Sequence, residues 1–214
     1  MTNPEKLAMA ETTGHWSDTL PRRACSDAVQ WARTQPDLRT AWSACERGDW
    51  MLWLAGYYAG SAGSDARRPL VLATCDCAGL ARPHWREWDV PVLERALDTA
   101  RRWARGEAGV TLADVRADAD AAADAAYAAD AYAAWAAFYA AAAWAAFYTA
   151  DAAFYAAADA AWAAFYAVAD AADAAYDADA AADARSRALR DCADIVRRYY
   201  PEPPAGKPEK ERPV

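Results

Sequence analysis

Few residues in this 214-residue chain have types and spacing that could carry catalysis. Cys75-Asp76-Cys77 is the one close thiol pair, and two thiolates so placed could ligate a metal or exchange a disulfide. On a helix, however, residues two apart point about 160° from each other. No second Cys pair follows, so the spacing favours two core thiols. The two histidines are His15, near the N-terminus, and His84, beside Pro83, which leaves little for metal ligation or a histidine-based triad. Glu46 and Asp49 flank Arg47-Gly48 closely enough for acid–base work, but Asp49 reads better as a helix cap. Gly56, Gly60 and Gly63 lack the Gly-Lys-Ser/Thr that completes a phosphate-cradling loop. These residues assign no catalytic site, metal or cofactor, and the expectation is a protein that is not an enzyme.

Charge is more informative. The formal net charge of −8 and pI near 4.8 argue against nucleic-acid binding. Between positions 117 and 184 there are eleven Asp and no Glu, Lys or Arg, so that stretch carries −11 and the remainder +3. The stretch is rich in alanine, which buries little area per residue, so a core must draw on the eleven Trp, eleven Tyr and four Phe.

The elements that must position these groups are all helical, because runs of β-branched residues alternating with polar ones are absent. Ser26 is the expected cap of a helix through Trp31, Asp37 of one through Trp42 and Cys45, and Asp49 of one from Trp50 to Gly60. Gly48 is expected to break the last two. Residues 60–64 read as a loop, Leu70 to Leu80 as a buried helix, and Val90 to Arg105 as an amphipathic helix stopped by Gly106 and Gly109. Thr111-Leu-Ala-Asp114 has the form of a capping box. Residues 1–20 read as an N-terminal arm, 21–201 as a single helical domain, and 202–214 as a Pro-rich charged tail that cannot propagate a helix.

Neither Gly nor Pro interrupts residues 112–200. One straight rod of 89 residues would span about 130 Å, whereas a compact chain of this length has a radius of gyration of about 17 Å, so the segment should fold back as a hairpin. Trp135-Ala-Ala-Phe138-Tyr139 recurs from Trp144 and from Trp162, with a variant from Asp151. Each unit forms one helical stripe. The units from Trp144 and Trp162 share a face, while the unit from Trp135 lies on the opposite side, so either a central helix buries two faces or the chain turns within 140–143. Asp159, Asp170 and Asp177 fall about 60° to 80° from Trp144 and flank its stripe. Asp159, Asp170, Asp177, Trp144 and Trp162 are thus the candidate partner-binding residues.

Residues 131–150 form a charge-free stretch of spanning length. They contain no Leu, Ile or Val, spread their Trp and Tyr throughout, and are flanked by Asp with no basic residue, so no membrane insertion is expected. No secretory signal is visible at the start, and an odd set of five cysteines suits a reducing, cytoplasmic compartment.

Four segments outside the alanine block carry a family resemblance. Ala41-Trp-Ser-Ala-Cys45-Glu-Arg-Gly-Asp-Trp50-Met-Leu-Trp-Leu-Ala-Gly56 resembles the N-terminal signature of small all-helical immunity proteins of polymorphic toxin systems, found in bacteria and phages. Arg68 to Ala78, Ala100 to Glu107 and Leu189 to Arg197 resemble that family's later motifs. The resemblance implies an all-α fold and a role in binding a toxin, and it carries over no catalytic residue. Two functions follow as expectations. The first is an immunity or anti-toxin protein that occludes a protein partner, such as a basic toxin. The alternative is a structural protein that self-assembles into homo-oligomers through its aromatic stripes.

Overall fold

The computed structural model describes residues 14–59, 65–85, 87–129 and 178–204. These contain seven α-helices, three short 3-10 helices and no strand. The fold is all-α, as the sequence predicts. The chain divides into two compact units, residues 1–44 and 45–214, so the expected boundary at residue 20 falls inside the first.

In the first unit, a 3-10 turn at Trp16–Thr19 precedes α1 (Ser26–Ala32) and α2 (Leu38–Ala44). The expected arm is tied down from His15 onward. The Trp16 indole N–H donates to the Gln35 carbonyl at 2.7 Å, and the His15 ring accepts from the Ser17 backbone N–H. Asp37 caps α2 as expected, accepting from the Thr40 backbone N–H at 2.7 Å and the Thr40 hydroxyl at 3.0 Å. Ser26 does not cap α1. It is the first helical residue, Cys25 takes the cap position without a side-chain bond, and the Ser26 hydroxyl donates instead to Asp27.

The second unit is organised around α4 (Arg68–Gly79), which packs against α3 (Gly48–Tyr58), α5 (Val90–Ala104) and α7 (Ala178–Tyr199), while α6 (Leu112–Ala129) packs on α5. Pro69 and Pro91 each stand in the first turn of their helix, where a missing N–H costs nothing. On one side of α4, Val71, Cys75 and Ala78 join Leu93, Leu97 and Trp103 of α5 and Val115, Ala119 and Ala122 of α6 in a continuous core. Alanines at Ala96, Ala100, Ala119 and Ala122 let these helices approach closely.

Gly106 and Gly109 end α5 in left-handed backbone, with φ of 74° and 84°. Thr111 and Asp114 form the expected capping box. The Thr111 backbone N–H donates to the Asp114 carboxylate at 2.7 Å, and the Asp114 backbone N–H donates to the Thr111 hydroxyl at 3.3 Å.

The start of α3 departs from expectation. The helix begins at Gly48, and Asp49 makes no capping bond. Gly48 acts by its lack of a side chain, not as a breaker: a Cβ there would lie 2.3 Å from the Cys192 Cβ and 2.6 Å from the Ala193 backbone nitrogen of α7. Close approach of the two backbones fixes the residue type. The loop at 60–64, the fold-back of the alanine block and the tail beyond residue 204 lie outside the described residues.

Candidate functional site

The five candidate residues Asp159, Asp170, Asp177, Trp144 and Trp162 all lie outside the described residues. The head of the acidic block is described, in α6. Its inner stripe, Val115, Ala119 and Ala122, is buried against α5. Asp118 sits at the seam, where Arg95 Nε donates to it at 2.9 Å and the Thr99 hydroxyl at 2.7 Å. Asp120 and Asp124, one turn apart, are exposed on the outer face, and neither pairs with a cation among the described residues. Two like charges spaced i, i+4 weaken the helix slightly, so local stability does not account for them. Trp88, just before α5, is the only large apolar side chain standing exposed among the described residues, at 73%.

The thiol motif is divided by α4. Cys75 lies in the α4–α5–α6 core, whereas the Cys77 thiol faces α7 and donates to the Cys192 carbonyl at 3.8 Å. Both are fully buried and free, in agreement with the core reading. Burial pushes Cys75 up to about 12 and Cys77 well above its ordinary value; these thiols stay protonated at neutral pH and are poor nucleophiles.

The residue between them makes the polar joint. The Asp76 carboxylate accepts from Arg101 of α5 at 3.2 Å and from the Tyr199 hydroxyl of α7 at 2.6 Å, and Arg101 donates a second bond to the Cys75 carbonyl at 3.0 Å. Desolvation, then the bond to Asp76, pushes Tyr199 up to about 12. One carboxylate therefore links three helices.

A second polar centre lies where α3 meets α7. Asp49 is 0% exposed and receives two bonds from Arg47, Nε at 2.9 Å and Nη2 at 2.6 Å. This is the bidentate fork that an arginine offers a carboxylate. The same guanidinium lies 4.2 Å from the centre of the Trp50 ring. Desolvation, then the positive charge of Arg47, lowers the Arg185 side chain of α7 from its ordinary value, with Asp49 acting in the opposite direction. Arg197 donates to the Cys45 carbonyl, and Arg190 pairs with Glu46 at 3.6 Å. The loop before α3 is thus bound to α7 at two places. The pair read from sequence as acid–base candidates is divided between structural roles: Asp49 is enclosed and Glu46 is at the surface.

The histidines belong to different units. His15 belongs to the first unit, while His84 follows α4 in a 3-10 turn, where burial lowers its pKa. Among the described residues no group of three His, Cys, Asp or Glu is arranged to hold a metal ion, and no helix is long and apolar enough to cross a membrane.

Sequence reasoning missed the Arg47–Asp49 fork, the Asp76 joint and the contact of Cys77 with α7. The first had a local signal, Arg-Gly-Asp with a Trp following. The other two join separate helices, through contacts 25 to 123 positions apart, for which no local signal exists.

Comparison of the chain with protein families, curated proteins and solved structures finds no match in any of the three.

Proposed function

We propose that this chain is a cytoplasmic immunity-type protein that binds a basic protein partner, of the kind a nuclease toxin presents, and neutralises it by occlusion and not by catalysis. The observation that carries this reading is the division of labour in α6. Its apolar stripe is spent on α5, while Asp120 and Asp124 pair with no cation among the described residues and stand at the head of a stretch carrying eleven Asp and no basic residue. A single-sign field of that kind speeds encounter with a basic partner and repels acidic ones. The resemblance of four segments to immunity proteins supports the same reading. All but the first residues of these segments belong to α3, α4, α5 and α7 and the short turns beside them, the elements that build the core of the second unit.

The test is capture from the native host with the tagged full-length chain, followed by mass spectrometry of what is retained. The expected result is a basic protein released by moderate salt, whose toxic activity is lost in the complex. Recovery of only acidic or salt-insensitive partners would contradict the proposal.

A further inference from the structure

Four of the five cysteines are buried, and two of them, from helices far apart in sequence, meet. Cys77 on α4 and Cys192 on α7 are each 0% exposed. The Cys77 thiol donates to the Cys192 carbonyl at 3.8 Å, and the neighbouring Cys192 side chain adds to the upward push that burial gives Cys77. Cys75, although two residues away, is on the other side of α4 in the α5–α6 core. The Cys45 thiol is directed to the Arg47 carbonyl at 3.6 Å. Gly48 keeps α3 against Cys192, since a Cβ there would strike the Cys192 Cβ. The close packing of α3 thus bears on the α7 side of the Cys77–Cys192 contact.

We propose that Cys77 and Cys192 form a latent redox lock, a pair of thiols that a peroxide converts to a disulfide joining α4 to α7. The chemistry balances with one hydrogen peroxide. One thiol loses its proton, and its sulfur attacks peroxide; the O–O bond breaks, leaving a sulfenic acid and hydroxide, which takes up the proton to become water. The neighbouring thiol attacks the sulfenic sulfur. The S–S bond forms, the S–O bond breaks, and the departing oxygen leaves with that thiol's proton as a second water. The two sulfurs lose two electrons and the peroxide gains them.

The bond would close a loop of more than 100 residues that contains α5 and α6, which restricts the unfolded chain far more than the folded one. Burial sets the kinetics. With the Cys77 thiol held protonated, attack must wait for local opening, so the exposed Cys25 reacts first. In a reducing compartment the lock stays open, and it closes under oxidative load.

The test uses full-length protein carrying Cys25→Ser, which removes intermolecular bridging. It is treated with hydrogen peroxide under native conditions, then mapped without reduction and melted before and after dithiothreitol. The expected result is loss of two hydrogens in the intact mass, a peptide joining Cys77 to Cys192, and a raised melting temperature that dithiothreitol reverses. Adding either Cys77→Ala or Cys192→Ala should abolish the mass loss, so the control survives if one variant fails to fold. Four thiols still titrating after prolonged exposure would overturn the proposal. So would oxygen addition at Cys77 or Cys192 without a cross-link, a bridge between another pair, or a bridge that leaves the melting temperature unchanged or lower.

Discussion

Replacing Gly48 with alanine places two principles in opposition, and the structure decides between them. Alanine is favoured over glycine in a helix by up to about 1 kcal/mol, and Gly48 is the first residue of α3, so propensity alone predicts a small gain. The new Cβ, however, would lie 2.3 Å from the Cys192 Cβ and 2.6 Å from a backbone nitrogen, whereas ordinary contact begins at 3.4 Å. Relief requires α3 and α7 to part by about 1.1 Å, and neither obstacle is a flexible side-chain tip. Overpacking of this kind costs about 1–3 kcal/mol. It would also disturb the Arg47–Asp49 fork, which stands beside the same contact. Urea unfolding followed by circular dichroism should therefore show Gly48→Ala less stable by about 1–3 kcal/mol with an unchanged m value. Gly79→Ala is the control, because its Cβ would meet only Arg101 Nη2 at 3.7 Å, and it should be neutral. A Gly48→Ala protein as stable as the wild type, or more so, would refute the close packing of α3 on α7.

Further expectations concern charge and thiols. In the same unfolding assay, Arg47→Met should cost about 3–5 kcal/mol by leaving Asp49 enclosed without its fork. Asp49→Asn should cost less, about 2–3 kcal/mol, because Arg47 is 32% exposed and recovers water; the reverse order would contradict the burial assigned to Asp49. Alkylation at neutral pH should label Cys25 alone in the native protein and all five cysteines in urea. Burial holds Cys45 up at about 11 and Cys75 at about 12, against an ordinary 9.0. Above pH 9.0 the unfolded chain therefore releases protons that the folded one keeps, and stability should fall as pH climbs from there towards 11. Asp114 is displaced in the other direction. Its bonds from the Thr111 hydroxyl and backbone hold it below its ordinary 3.8, so its contribution is present above that value and lost as acid protonates it. Carboxyl NMR should find Asp114 titrating below 3.8 and Thr111→Ala moving it back up.

Much of the fold was legible because the local signals agreed with one another. The helix expected from Leu70 to Leu80 is Arg68–Gly79, and the one expected from Val90 to Arg105 is Val90–Ala104. Glycines with positive φ at the end of α5 and the Thr111–Asp114 box act at a range of a few residues. Asp49 was misread because an acidic residue ahead of an apolar run resembles a cap, and only the buried neighbours on α7 reveal a carboxylate that needs its own arginine. Gly48 was misread for a related reason: a glycine between helices looks like a break until the partner backbone is known. Asp76 lies between two thiols that drew attention to metal and redox chemistry, whereas its partners Arg101 and Tyr199 are 25 and 123 positions away. For the candidate surface, composition located the acidic block, but Asp120 and Asp124 could be separated from Asp118 only once α5 was seen to engage one face of α6.

The central proposal is most directly tested by the salt dependence of binding to the captured partner, measured by calorimetry for the wild type, for a variant carrying Asp120→Asn and Asp124→Asn, and for one carrying Asp159→Asn, Asp170→Asn and Asp177→Asn. Asp120 and Asp124 are exposed, and exposed carboxylates contribute little to folding, so the variant carrying Asp120→Asn and Asp124→Asn should melt with the wild type. Wild-type affinity should fall as salt rises from low to moderate, and at least one variant should bind more weakly at low salt and lose that difference as screening increases. Equal affinity of all three proteins across the salt range would contradict an acidic face as the element that recognises the partner.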